Sequence, residues 1–147
     1  MTLDAGDVIA IHQLLSHYGQ VVDARDWERF EALFVADAVL DYTHVNAPQV
    51  YNGVAEIQGY FERANHPSAH HVVNIVVTEA DGEVRVKSKF FVPFSRESHV
   101  PQGWYGGDYD DVVVRGDGGW RFARRTCTQR WRLAAGDGPF PPGRGTF

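Results

Sequence analysis

An α+β fold, with helices packed on one face of a strongly curved, mainly antiparallel sheet, is predicted by three features of this 147-residue chain. Helical periodicity is confined to the N-terminal part, and the remainder alternates with the period of strands. The links between the later strands carry Asp-Gly pairs, the residue types that tight hairpins need. No βαβ alternation signals a doubly wound sheet.

The elements follow in order. From Asp7 the apolar positions Val8, Ile11, Leu14, Leu15, Tyr18, Val21 and Val22 recur at helical spacing, with Asp4 or Asp7 placed to cap the start. A second helix is predicted from about Asp26, read as its cap, to near Asp37, with Trp27, Phe30, Leu33 and Phe34 on one face. Ala38 to Tyr42 reads as a short strand. After a turn-rich piece with Pro48 and Gly53, the spacing of Ile57, Tyr60, Phe61 and Ala64 predicts a third helix, closed by Pro67. Strands are then predicted at His71 to Val77, Glu83 to Phe94, Trp104 to Val114 and Trp120 to Trp131. Ala80-Asp-Gly82 and Gly116-Asp-Gly-Gly119 supply the turns of a meander.

Strand period assigns faces. Val84, Val86, Ser88, Phe90, Val92 and Phe94 share one side, and Arg85, Lys87 and Lys89 the other, the half-buried alternation of an antiparallel strand. The strand at His70 is apolar on both sides. His71, Val73, Ile75 and Val77 form one set, and His70, Val72, Asn74 and Val76 the other. With the first set toward the helices, the second presents valines to a partner subunit, so a homo-oligomer is expected.

Composition limits the function classes. The length fits one domain by the usual ~100–200 residues each, and 44% apolar content is enough for a core. Residues 1–135 are read as that domain, and the Gly/Pro-rich 136–147 as an arm, loose or wrapped on a neighbour. Nine Phe, six Tyr and four Trp fill a core or line a pocket for a flat apolar ligand. A formal charge of -5 without a basic stretch argues against nucleic acid. Arg124, Arg125, Arg130 and Arg132 are interleaved with apolar residues, as on a solvated or ion-paired face. The single Cys127 excludes an intrachain disulfide, no Cys and His spacing resembles a zinc site, and no cofactor is implied. No stretch approaches the ~18 apolar residues of a membrane span and no leader pattern opens the chain, so a cytoplasmic protein is expected.

Four segments together carry a resemblance: Val22-Asp-Ala-Arg-Asp-Trp27, Val39-Leu-Asp-Tyr42, His70-His-Val-Val-Asn74 and Gly119-Trp-Arg-Phe-Ala-Arg-Arg125. Over roughly residues 5 to 133 the chain resembles the cone-shaped α+β superfamily of SnoaL-like cyclases, ketosteroid isomerase and scytalone dehydratase. The resemblance to scytalone dehydratase implies a pairing of Asp23 with His71 and places Tyr42 on a pocket tyrosine that helps bind substrate through water. Val22, Phe94 and Tyr109 depart from that enzyme's pattern, standing where it has a tyrosine, a second histidine and an asparagine. The hexachlorocyclohexane dehydrochlorinases share the Asp, the His and the arginine matching Arg125, but Tyr18 replaces a lysine seen there. A bile-acid dehydratase of the superfamily uses a similar dyad. Relatives are trimers or dimers, and both states stay open.

The chemistry that follows is proton transfer. An imidazole ordinarily titrates near ~6.5, which suits a general base at neutral pH, and a carboxylate partner fixes its tautomer and stabilises the imidazolium. His71 is therefore expected to remove a proton beside a carbonyl and return it to a departing hydroxyl, with Asp23 as its partner and Tyr42 polarising the carbonyl. Tyr18, Val22, Phe90, Phe94, Tyr105 and Tyr109 are expected around the substrate. Arg125 either binds a substrate oxygen or forms a surface pair. His70 is adjacent and points the other way on a regular strand; a bulge would reverse the choice. His12, His17, His44, His66 and His99 have no spacing that demands function. The expected activity is a cofactor-independent lyase of dehydratase type acting on a small apolar cyclic substrate, aromatic, polyketide-like or steroid-like. The alternatives are isomerisation or cyclisation, dehydrochlorination, ligand binding alone, and a structural subunit like the small subunit of ring-hydroxylating dioxygenases.

Overall fold

The computed structural model describes residues 2–45, 47–64, 66–67, 69–94 and 103–134. The arm expected at 136–147 and His99 lie outside these. Helix α1 spans Ala5–Ala24, a 3-10 turn Trp27–Arg29 leads into the single-turn α2 at Phe30–Leu33, and α3 spans Val54–Arg63. The strands are β1 Phe34–His44, β2 Tyr51–Asn52, β3 His71–Ala80, β4 Glu83–Phe94, β5 Gly103–Gly116 and β6 Gly119–Ala134. They form one sheet in the order β2-β1-β6-β5-β4-β3, antiparallel except where β1 runs parallel to β6. No described helix is long and apolar enough to cross a membrane.

The start of α1 is held by charge. Asp4 caps the helix by accepting from the Asp7 backbone N–H at 2.8 Å, and Asp7 accepts in return from the Asp4 N–H at 3.3 Å. Asp7 also accepts from the Trp120 indole at 3.2 Å and pairs with Arg115 at 2.6 Å, which ties the helix start to the β5–β6 turn. Burial works against this carboxylate, but the Asp4 N–H, the Trp120 N–H and the Arg115 cation together hold it below its ordinary pKa.

The predicted second helix is much shorter than its apolar spacing suggests. Trp27, Phe30, Leu33 and Phe34 fit one helical face, yet Phe34 is already extended and pairs with Phe122 of β6, its ring 5.2 Å from that partner. Tertiary pairing overrides a four-residue pattern. Asp26 makes no side-chain cap, and its carboxylate instead pairs with Arg29 at 2.9 Å. The hairpin turns behave as their residues require: Asp81 and Gly82 both adopt positive φ, at 54° and 78°.

Three bulges decide which side chains face inward. In β3, Asn74 and Ile75 stand opposite the single residue Ser88, and Asn74 has φ 53°. Before the bulge Val72 pairs with buried Phe90, so His70 and Val72 point inward; after it Ile75 and Val77 do. The expected face assignment is thus half right. The outward set is His71, Val73 and Val76, and Val76 is 57% exposed. In β6, Ala123 and Arg130 are each an extra residue against β5, so Phe122, Arg125, Cys127, Gln129 and Arg132 share the inner face despite uneven spacing.

At the centre of the sheet's inner face lies a buried ion pair. Arg125 and Asp111 are both 0% exposed, and the guanidinium donates through Nε and Nη2 to the two carboxylate oxygens at 2.8 and 2.7 Å. The guanidinium carbon sits 4.1 Å from the ring centroids of Tyr18, Tyr109 and Phe122. Burial disfavours the cation, but the adjoining Asp111 carboxylate outweighs it and holds Arg125 well above its usual pKa. Removing one partner leaves an uncompensated buried charge. Asp111→Ala is expected to lower stability by about 3–5 kcal/mol in denaturant unfolding, whereas Asp111→Leu combined with Arg125→Met loses far less. Equal losses in the two variants would contradict the charge-burial account.

Candidate active site

The end of α1 and the entry to β3 meet where the sequence places a carboxylate and two histidines. Asp23 lies in the last turn of α1, where the negative end of the helix dipole disfavours an acid. Its compensating partner is His70. The His70 backbone N–H donates to Oδ1 and Oδ2 of Asp23 at 3.1 and 2.9 Å, and the ring Nδ1 lies 2.5 Å from Oδ1. Burial tends to raise the Asp23 pKa, but the ring and backbone bonds from His70, with the His70 and Arg25 charges, bring it below its ordinary value. An anionic carboxylate at Nδ1 makes that nitrogen the donor and leaves Nε2 for a ligand.

The expected Asp23–His71 pairing is therefore corrected to Asp23–His70. His71 is exposed, pairs with Phe91 across the strand and stacks on its ring at 4.5 Å with 6° between planes. The physical reason is the backbone at Ala69 and Asn74. Ala69 holds a positive φ of 66°, which turns the chain into β3 with His70 toward Asp23, and the Asn74 bulge restores the inward direction for Ile75 and Val77.

Arg25 fixes the loop that leads to His70. It takes the left-handed conformation that ends α1, φ 58°, and donates through Nη1 to the Val22 carbonyl at 2.7 Å. Nη1 also reaches the Pro67 carbonyl at 3.4 Å, and Nη2 donates to the His66 carbonyl. α1 passes close to His70 at Gly19, where a Cβ would stand at ordinary contact distance, 3.5 Å, from the His70 carbonyl oxygen.

His70 lines a cavity of about 370 Å³ between the helices and the inner face of the sheet. The ring is largely enclosed, with its side chain 6% exposed against 24% for Asp23. Tyr18, Tyr42, Phe90, Phe94, Tyr105 and Tyr109 line the same cavity, as expected from the sequence. Phe90 stacks on Tyr109 at 4.6 Å, and the Tyr18 and Tyr42 hydroxyls share a hydrogen bond of 2.6 Å. Burial pushes the Tyr18 phenol up to about 12 against the opposing Arg125 charge, and pushes Tyr42 well above its ordinary value. Both hydroxyls stay protonated at neutral pH. Two protons with one bond between them leave one O–H for a ligand oxygen.

Two expected site residues do not reach the cavity wall. Val22 is fully buried in the core and is not among the residues lining the cavity. Arg125 is neither a surface cation nor a cavity donor: it lies against the rings of Tyr18 and Tyr109 with its fork committed to Asp111.

Other lining residues escaped the sequence reading, notably Tyr60, His66, Gln129 and Arg132. His66 stacks on Phe61 at 4.3 Å and 10°, and its Nε2 is buried without a hydrogen-bond partner. Only its place between a helix end and Pro67 marked it, and that reads as loop. Among the described residues no three His, Cys, Asp or Glu side chains group to hold a metal ion.

Burial pushes the His66 imidazole down to about 4, with the His70 and Arg25 charges acting in the same direction. The unfolded chain, with His near ~6.5, thus binds more protons than the native one between those values. The stability that neutral His66 contributes is complete above about pH 6.5 and is lost as the pH falls toward 4. His66→Phe is expected to flatten the decline in unfolding free energy between pH 7 and 4.5. An unchanged pH profile would show that His66 is not buried in its neutral form.

Comparison with known proteins agrees with this architecture. The SnoaL-like domain description matches residues 4–126. An uncharacterized protein of Mycobacterium tuberculosis is 25% identical over 131 residues, covering 86% of this chain and 87% of the relative. Among solved structures, a Novosphingobium aromaticivorans protein provisionally named a scytalone dehydratase is 25% identical, with a TM-score of 0.71 over 90% of this chain and 93% of that one. A hexachlorocyclohexane dehydrochlorinase, LinA type 2, has a TM-score of 0.75 at 19% identity, covering 94% of this chain and 95% of its own. That likeness is one of fold.

Proposed function

This chain belongs to the SnoaL-like family, and from that premise we propose that it is a cofactor-independent lyase of dehydratase type, using Asp23 and His70 on a small cyclic hydroxy-carbonyl compound. The observation that carries the reading is the 2.5 Å contact of Asp23 with His70 Nδ1 at the wall of an aromatic cavity. The provisional name of the Novosphingobium relative supports the same class.

His70 Nε2 removes the proton on the carbon beside the carbonyl, and the electron pair of that C–H bond moves into an enolate. Asp23 stabilises the imidazolium that forms. The Tyr18–Tyr42 pair donates its remaining O–H to the carbonyl oxygen, where negative charge develops. The enolate then collapses to a conjugated double bond and expels the β-hydroxyl, which takes the proton back from His70 and leaves as water. Burial among the aromatic walls keeps the tyrosines neutral through both half-steps.

Isomerisation shares the first half-step and differs in where the proton returns, so product mass separates the two. Purified protein supplied with bicyclic β-hydroxyketones is expected to produce an absorbing enone with loss of water. Asp23→Asn and His70→Ala are expected to lower the rate by about 10²-fold or more, and His71→Ala to leave it within about twofold. A His71→Ala loss equal to that of His70→Ala would reject the assignment. Turnover without change of mass would replace elimination by isomerisation.

A further inference from the structure

The cavity wall holds a permanent cation that the proton-transfer chemistry does not use. Arg132 lines it alongside Gln129, and its guanidinium carbon stands 4.6 Å over the ring of Phe94, itself a wall residue. Among the described residues lining the cavity there is no Asp or Glu, and among the described residues no carboxylate forms an ion pair with Arg132. The contrast with its neighbour is sharp: Arg130, two positions away, is neutralised by Asp108 at 2.7 Å on the outer face. A chain of formal charge -5 thus places at this cavity a cation that no described carboxylate neutralises.

Arg132 is there because the backbone is built to bring it. Regular alternation from Cys127 and Gln129 would put Trp131 on the cavity side and Arg132 outside. The extra residue Arg130 reverses this: Trp131 pairs with Gly106 on the outer face, and Arg132 pairs with Tyr105 on the inner one. The opposite strand accommodates the bulge with two glycines. A Cβ on Gly107 would stand 1.9 Å from the Thr128 carbonyl oxygen, and one on Gly106 would stand 2.4 Å from the Trp131 ring. The irregularity removes a large ring from the cavity side and substitutes a cation.

We infer that the ligand of this cavity is a ring compound bearing a negatively charged group, a carboxylate or its equivalent, which Arg132 and Gln129 receive while the rings lie against Phe90, Tyr105 and Tyr109. This rests on the reading of the cavity as a substrate site and adds the charge of the substrate to it. A volume of about 370 Å³ is near the lower end of the ~300–1,000 Å³ range for small-molecule sites, which suits a bicyclic or tricyclic acid. Guanidinium held by an aromatic face keeps its edge donors for a planar carboxylate.

The test uses 2-naphthoate and its methyl ester, two probes alike in shape and unlike in charge. Their affinities are measured by calorimetry at low ionic strength for the wild type, Arg132→Gln and Arg132→Lys, with circular dichroism as the check on folding. The wild type is expected to prefer naphthoate by about tenfold or more, with the preference shrinking as salt is added. Arg132→Gln is expected to lose about tenfold for naphthoate and nothing for the ester, and Arg132→Lys to keep part of the preference. Equal affinities in the wild type, an undiminished preference in Arg132→Gln, or equal losses for both probes would overturn the inference while leaving elimination at His70 standing. Failure of both probes to bind the wild type would overturn the inference together with the substrate-site reading. A charge preference that holds in a protein without lyase turnover would remove only the elimination chemistry.

Discussion

One carboxylate joins the two halves of this molecule at the place where chemistry is proposed. Asp23 ends a helix, against the helix dipole, and accepts from both the backbone and the ring of His70 at the first turn of the sheet's edge strand. Neither a helix cap nor a surface pair has this form, because one acid orients a peptide and an imidazole of the same residue. The strained Ala69 and the Arg25 bonds to the 66–67 carbonyls serve that same arrangement. Loss of the carboxylate would leave the loop tied but the ring free to turn.

The interior follows a related logic of charge managed by rings. Arg125 and Asp111 are withdrawn completely from water and neutralise each other, and two of the three aromatic faces around the guanidinium, those of Tyr18 and Tyr109, belong to residues that also bound the cavity. Tyr18 and Tyr109 thus lie against a cation on one side and line the cavity on the other. The fixed cation does not ionise them; burial dominates and the hydroxyls remain donors. Such a floor suits stabilisation of developing negative charge without storing it in the resting protein.

The overall fold was legible because side-chain period reports secondary structure directly. Alternation in Glu83 to Phe94 marked that strand to its end residues, and the Asp-Gly pair at 81–82 marked its hairpin. Which histidine meets Asp23 was not legible, since the choice between His70 and His71 depends on strand parity and on the turn that enters the strand. Parity is set by backbone insertions, which leave little trace in a Val-rich segment. Asn74, a residue that tolerates positive φ, was the available signal in β3, as Gly106-Gly107 was opposite Arg130. The same cause explains Arg132, hidden from any alternating pattern, and Arg125, expected at a substrate oxygen or in a surface pair and found in a buried pair with Asp111. His66 was missed for another reason: a loop residue is brought to the cavity by tertiary packing on Phe61, which spacing does not encode.

The central claim is that Asp23 holds the Nδ1 proton of His70. Proton–nitrogen correlation spectra of ¹⁵N-histidine-labelled protein test it directly. A strongly downfield Nδ1–H signal assigned to His70, lost or moved upfield in Asp23→Asn while the His71 signals stay in place, is the result this account predicts. The same signal arising from His71, or its persistence without the Asp23 carboxylate, would contradict it.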